Sequence, residues 1–224
     1  IPTGVIPDGE NACYVADSTQ LLHLADTDGD GIADQRRVIF SGFGTEDTHH
    51  LLHTLRWGPD GCLYFNQSIY IHSHIDTAYG TRHLDGGGIW RYRPSTGRLE
   101  VFCKGFINPW GHVFDEQGES FVTDGAGYEG INYAFPDSVF NTSPGASRWL
   151  SGLNPGSPKH CGLAVLSGTH IPADWNGNLV TNDFRSHRVC RFDVAPDGSG
   201  FRSQQQPEII TTSHVAFRPI DVRM

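Results

Sequence analysis

Short runs of alternating hydrophobic and polar residues recur along this chain, each entered through a tight-turn signal. Pro7-Asp8-Gly9 leads into Ala12-Cys13-Tyr14-Val15-Ala16-Asp17, and Asp60-Gly61 leads into Cys62-Leu63-Tyr64-Phe65. Asp115-Glu116-Gln117-Gly118 leads into Phe121-Val122-Thr123-Asp124, and Asn176-Gly177 leads into Asn178-Leu179-Val180-Thr181. Gly supplies the positive φ that such turns need, and alternation with period two predicts half-buried strands. The turn glycines Gly9, Gly61, Gly118 and Gly177 are 52, 57 and 59 residues apart. A repeat of that length predicts propeller blades or another repeat array.

Further strands fall inside each period. Leu21–Leu24 and Arg37–Phe40 flank an acidic stretch, and Ile89–Arg93 turns through Pro94-Ser95-Thr96-Gly97 into Leu99–Cys103. Val189–Val194 runs to a predicted turn at Pro196-Asp197-Gly198. Four short strands per unit make a blade. No stretch holds a helical period for more than about two turns. The expected fold is therefore all-β, a β-propeller with four-stranded blades. Residues 1–224 supply about four blades, and a fifth starts near Phe217. An open fan would expose sheet edges. This predicts that the span is part of a longer polypeptide closing a six-bladed ring, with a closed four-bladed ring as the alternative.

Composition adds limits. The net charge of −9 disfavours nucleic acid or an anionic membrane as partner, and no apolar run is long enough to span a bilayer. The acidity suits a calcium-loaded, periplasmic or secreted protein. Five cysteines (Cys13, Cys62, Cys103, Cys161, Cys190) are widely spaced, without a Cys-x-x-Cys pair or a haem-attachment motif. They read as small buried hydrophobes, with one disulfide left open.

Several stretches carry candidate chemistry. Asp26-Thr27-Asp28-Gly29-Asp30-Gly31-Ile32-Ala33-Asp34 places carboxylates at loop positions 1, 3, 5 and 9 and glycine at 6. Asp26, Asp28, Asp30 and Asp34 thus suit calcium at a hairpin tip, although Arg37 stands where an EF-hand has its last glutamate. A solvated acidic turn is the alternative. His49, His50 and His53 lie on the loop or strand end before Trp57-Gly58-Pro59-Asp60-Gly61. A histidine general base there is simpler than a three-histidine metal site, because neighbours on a strand face opposite ways. His72 and His74 share a strand face and form a weaker zinc or copper candidate. Finally, Asn108-Pro109-Trp110-Gly111-His112, Thr123–Asn132 and Lys159-His160-Cys161-Gly162 fall at comparable places in later repeats. In a propeller, His50, Asn108 and His160 would converge on one end of the central channel. Asp183-Phe184-Arg185-Ser186-His187-Arg188 would add cations for an anionic ligand.

Thr48-His49-His50, Leu55-Arg56-Trp57-Gly58-Pro59-Asp60-Gly61, Asn108-Pro109-Trp110-Gly111 and Trp175-Asn176-Gly177-Asn178-Leu179-Val180 resemble the soluble glucose and aldose sugar dehydrogenase superfamily. The acidic loop and Gly42–His50 are most similar to planctomycete-type membrane-bound dehydrogenase proteins. The resemblance covers nearly the whole chain. It implies a quinoprotein that oxidises a sugar or other alcohol with pyrroloquinoline quinone (PQQ) and calcium, passing electrons to a cytochrome c. It further implies His50 as general base and Asn108 at the cofactor. The backbone carbonyls of Gly125 and Ala126 would lie on the cofactor's calcium, and Arg185 or Arg188 on PQQ carboxylates. The chain departs from that pattern at Ile107, where the sugar dehydrogenases carry arginine, and at His49, where they carry aspartate. Two other functions fit the same residues. One is a calcium-dependent lactonase-like hydrolase using Asn108, Asn154 and Asp183. The other is a non-catalytic carbohydrate- or protein-binding propeller using Trp110, Tyr128 and Trp149.

Overall fold

The computed structural model describes residues 1–126, 128, 130–143 and 145–224. The chain forms two compact units, Ile1–Phe106 and Ile107–Met224. Both are built from antiparallel sheets. Among the described residues the sole helix is a 3-10 turn at Ala173–Trp175, and no helix is long and apolar enough to cross a membrane.

In the first unit, β1 (Pro2–Pro7), β2 (Ala12–Asp17), β3 (Gln20–Ala25) and β4 (Gln35–Ser41) pair in chain order. A second sheet runs β5 (His53–Trp57), β6 (Leu63–Gln67), β9 (Gly87–Arg93), β10 (Arg98–Phe106). Between β6 and β9 the chain makes a separate hairpin of β7 (His72–Ile75) and β8 (Arg82–Asp85). Alternate residues of the sheets point inward, and Ala16, Leu21, Leu63, Phe65, Trp90 and Leu99 are fully buried in one core. Phe43 caps it, its ring edge-on to Phe65 and Trp90 at 5.8 Å each. Buried Gln67 ties the hairpin to the sheet. Its Nε2 donates to the carbonyls of Ile71, Leu84 and Gly86, at 3.1, 2.9 and 2.9 Å. Its Oε1 accepts from Ser73 Oγ (2.6 Å) and Trp90 Nε1 (3.2 Å).

In the second unit, β11 (Pro109–Phe114), β12 (Ser120–Asp124) and β13 (Ile131–Ala134) form a three-stranded sheet. After the short β14 (Ser138–Val139), β15 (His160–Val165), β16 (Leu179–Asp183), β17 (Arg188–Asp197) and β18 (Gly200–Gln205) pair in chain order. The short β19 (Ile210–Thr211) lies on β17. Phe121, Ile131, Leu163, Leu179, Cys190 and Phe192 make the core. Beyond β19 there is no strand. Phe217 and Val222 pack on Leu166, Val180 and Val189, and Gly162 N donates to Ile220 O at 3.0 Å.

The four repeat glycines all adopt the left-handed backbone, with φ of 75° at Gly9, 70° at Gly61, 85° at Gly118 and 82° at Gly177. The repeat read from the sequence is thus a repeat of turn geometry. One predicted turn moves. Strand β17 continues through Pro196 and Asp197, and the hairpin closes between Asp197 and Gly200. Proline is tolerated because β16 pairs only as far as Phe192, so Pro196 has a single ladder neighbour. All five cysteines are free thiols, and Cys62, Cys103, Cys161 and Cys190 are buried. Burial pushes the Cys161 thiol up to about 11 and Cys190 to about 12, which leaves both as inert hydrophobes.

Candidate functional site

The acidic loop joins β3 to β4. Ligand oxygens of Asp26, Asp28 and Asp30 lie within 4.8 Å of one another, and all three residues face solvent to some degree. Asp26 accepts from the N–H of Gly29 (2.7 Å) and Gly31 (2.8 Å), and these bonds, Gly31 first, lower its carboxyl pKa. Asp34 stands outside that trio and accepts from Thr27 Oγ1 at 2.7 Å. The loop therefore gathers three of its four predicted ligands.

His49 and His50 sit on a turn, closed by His50 N donating to Asp47 O at 3.0 Å, and β5 begins only at His53. The two side chains diverge: His49 is 89% exposed and His50 is 18% exposed. Asp47 serves both. Its Oδ2 lies 3.0 Å from His50 Nδ1, out of line for a regular hydrogen bond, and its Oδ1 accepts from His49 N at 2.9 Å. The His49 N–H is the main reason why the Asp47 carboxyl pKa is lowered, so the group is anionic beside the imidazole. The ring of Tyr70 stands edge-on to His50 at 5.8 Å. His53 is spent on Thr54 Oγ1 (2.8 Å) and Ser68 Oγ (3.3 Å), and burial, with charge on His50, pushes it down to about 4. Three histidines thus divide into one exposed, one half-enclosed and carboxylate-paired, and one structural.

In the second unit two sheets end alike. Asp124 closes β12 opposite Pro109, and Asp183 closes β16 opposite His160. Each carboxylate takes the backbone N–H groups that lead into the neighbouring strand. Asp124 accepts from Ile107 N (2.9 Å) and Asn108 N (2.8 Å), and also from Ala126 N (3.4 Å) just past its own strand, and Asp183 accepts from Lys159 N (3.3 Å). Asp124 is fully buried, and that burial raises its pKa despite these bonds. Asn108 and Gly125 lie together, Gly125 N donating to Asn108 O at 3.0 Å. A Cβ on Gly125 would stand 3.0 Å from the carbonyl of His160 and 3.5 Å from Asn108 Nδ2, so the three residues converge. The imidazole of His160 is buried, and neither ring nitrogen makes a well-formed hydrogen bond. Burial pushes it down to about 4, outweighing the Asp183 carboxylate and the Asn182 backbone, which favour the proton. It is the backbone of His160 that meets Asn108 and Gly125; its ring stands edge-on to Phe192 at 5.7 Å and lies against Gly130.

The predicted arginines differ. Arg188 is committed, donating to Asp183 Oδ2 through Nε (3.3 Å) and Nη2 (3.1 Å) and to Glu208 through Nη1 (2.9 Å). Arg185 is exposed and has no ion pair among the described residues. Ala126 is partly exposed beside buried Gly125, while Gly127 and Glu129 of the same glycine-rich stretch lie outside the described residues. For the hydrolase reading, Asn154 spends its Oδ1 on Ile131 N at 2.7 Å, and Asp183 is already paired with Arg188. Sequence reasoning missed Asp124 and Arg148. Arg148 lies over the rings of Tyr128 (4.7 Å) and Phe140 (5.3 Å) and donates to Asn132 Oδ1 at 2.5 Å. The matching strand ends Thr123-Asp124 and Thr181-Asn182-Asp183 were the available signal for Asp124. Trp149 is 71% exposed, whereas Trp110 and Tyr128 are partly buried.

The fold is shared with enzymes of known structure. The PQQ-bound form of aldose sugar dehydrogenase from Streptomyces coelicolor superposes with a TM-score of 0.61 at 16% identity, over 92% of this chain and 70% of that one. A glucose dehydrogenase gives 0.66 at 18% identity, over 98% and 75%. A luciferin-regenerating enzyme gives 0.58 at 12%, over 99% and 65%. At such identities the likeness establishes an all-β, propeller-type fold. No curated protein matches the chain. Residues 1–151 match the family described as "Domain of unknown function (DUF7133)", and the chain belongs to that family.

Proposed function

We propose that this chain is the greater part of a quinoprotein-type dehydrogenase that oxidises a sugar or other alcohol. The observation that carries this reading is the His50–Asp47 pair, a half-enclosed imidazole with one nitrogen against an anionic carboxylate. The Asp47 charge, 3.0 Å from Nδ1, favours the proton on that nitrogen, and Nε2 is left to take the proton of a substrate hydroxyl. The carboxylate then stabilises the imidazolium that forms.

The second unit offers residues that fit PQQ. Arg185 is a cation without an ion pair among the described residues, which suits a carboxylate-bearing cofactor. Asn108 would supply a polar contact, and the carbonyls of Gly125 and Ala126 would hold calcium. When bound, PQQ supplies the two-electron acceptor, and calcium supplies countercharge. A second calcium is assigned to Asp26, Asp28 and Asp30, with Asp34 bracing the loop, as a structural ion. The same proposal places the span 1–224 as about four blades of a six-bladed ring, a fifth starting near Phe217. It makes the protein periplasmic or secreted, with a cytochrome c as electron acceptor.

The test is titration with PQQ in the presence of Ca²⁺, followed by absorbance and thermal shift. Dye-linked oxidation of sugars and alcohols comes next. Saturable binding is expected, with turnover falling by about 10²-fold or more in His50→Ala while KM changes little. A folded, calcium-loaded protein that does not bind PQQ would overturn the reading.

A further inference from the structure

We propose that the β7–β8 hairpin is a transition-metal site in which His74 and His83 bind one divalent cation of the copper and nickel class through their Nδ1 atoms. Strand alternation puts Ser73, Ile75 and Leu84 inside and His72, His74, His83 and Asp85 at the surface. His74 and His83 are direct cross-strand partners. Their Nδ1 atoms are 2.9 Å apart, with the rings at 89° and their centroids at 4.5 Å. Without a cation, two neutral imidazoles at this distance share one N–H. With metal–nitrogen bonds of about 2.0–2.1 Å, two nitrogens in adjacent right-angled positions lie about 2.9 Å apart. A tetrahedral angle would need about 3.3 Å, a shift that exposed side chains make easily; two imidazoles with water filling the remaining positions suit Cu²⁺ and Ni²⁺, which bind nitrogen donors more tightly than the earlier divalent ions.

A second observation concerns the proton. Asp85 Oδ1 lies 4.0 Å from His74 Nε2. A carboxylate on that side favours the Nε2–H tautomer and turns the Nδ1 lone pair toward His83. At 4.0 Å the carboxylate acts through its charge, and a side-chain rotation would bring it to the carboxylate–histidine–metal arrangement. His72, which shares the strand face, is drawn to Glu46 at 3.3 Å. The backbone beneath is fixed. Gln67 anchors the hairpin from inside, His74 N donates to Gly42 O at 3.0 Å, and Gly44 N donates to Ser73 Oγ at 3.1 Å. His74 and Asp85 are 62% and 65% exposed, so water completes the coordination and the ion exchanges freely.

The experiment is calorimetric and EPR titration of the full chain with Cu²⁺, in excess Ca²⁺ to occupy the acidic loop. Wild type is expected to take up one equivalent with nitrogen coupling from two imidazoles. His74→Ala and His83→Ala each lose that equivalent, and His72→Ala keeps it. Asp85→Asn weakens it without abolishing it. Unchanged Cu²⁺ uptake in His74→Ala and His83→Ala, or loss in His72→Ala, would overturn the proposal. Circular dichroism checks folding. If an alanine variant unfolds, His74→Gln and His83→Gln are read by the same criteria.

Discussion

Asp47 is the residue on which the catalytic reading turns, because an imidazole is a directed base only when its other nitrogen is held. In Asp47→Asn the side chain keeps its size and loses its charge. The imidazolium then lacks its stabilising charge, and the Nδ1–H tautomer is no longer favoured. We expect turnover to fall on the order of 10²-fold with KM nearly unchanged, measured as dye-linked oxidation. A fall of less than twofold would remove Asp47 from the mechanism. His49 offers the internal comparison. It touches the same carboxylate but is 89% exposed, so His49→Ala should leave turnover close to wild type.

At the scale of elements, Thr123 is the clearest joint. In the middle sheet strand β12, its hydroxyl accepts from buried Gly111 N on β11 (2.7 Å) and donates to the carbonyl of Cys161 on β15. Thr181 on β16 does part of the same work, donating to Gly162 O at 2.7 Å. Thr123→Val keeps the shape and strands a buried N–H, which costs about 1–3 kcal/mol. For a chain of this size that lowers the melting midpoint by roughly 2–12 °C. Thr181→Val should cost less, since losing its bond to Gly162 O leaves only a carbonyl unpaired. Equal losses would show that the Gly111 bond adds nothing. The strands themselves were legible, because glycine turns and alternation are local: Leu21–Leu24 became β3, Gln20–Ala25, and Ile89–Arg93 became β9, Gly87–Arg93. Pairings that depend on distant chain were not. Sequence coupled His72 with His74 by spacing, whereas the cross-strand register couples His74 with His83. Likewise Asp124 read as one strand end among several until its carboxylate was seen to hold Ile107 and Asn108.

For the whole molecule, acid should be the revealing stress, since each unit contains a histidine held neutral. His53 lies in the first unit and His160 in the second, and both are pushed down to about 4 from 6.5. A histidine whose folded pKa is depressed destabilises the fold when it must take a proton. Its contribution is therefore complete above about pH 6.5 and is lost as pH falls toward 4. For His160, 1% exposed, the loss approaches about 3 kcal/mol. It is smaller for His53, which keeps some solvent contact. Two effects oppose this slope. The net charge of −9 shrinks on acidification and relieves self-repulsion. Asp124, whose pKa is raised, favours the fold as it gains a proton. The difference between wild type and His160→Gln cancels both. Melting midpoints measured from pH 7 to pH 4 should fall more steeply in wild type than in the variant, with the gap opening below about pH 6.5. Parallel curves would mean that His160 is solvated and that its burial carries no cost in acid.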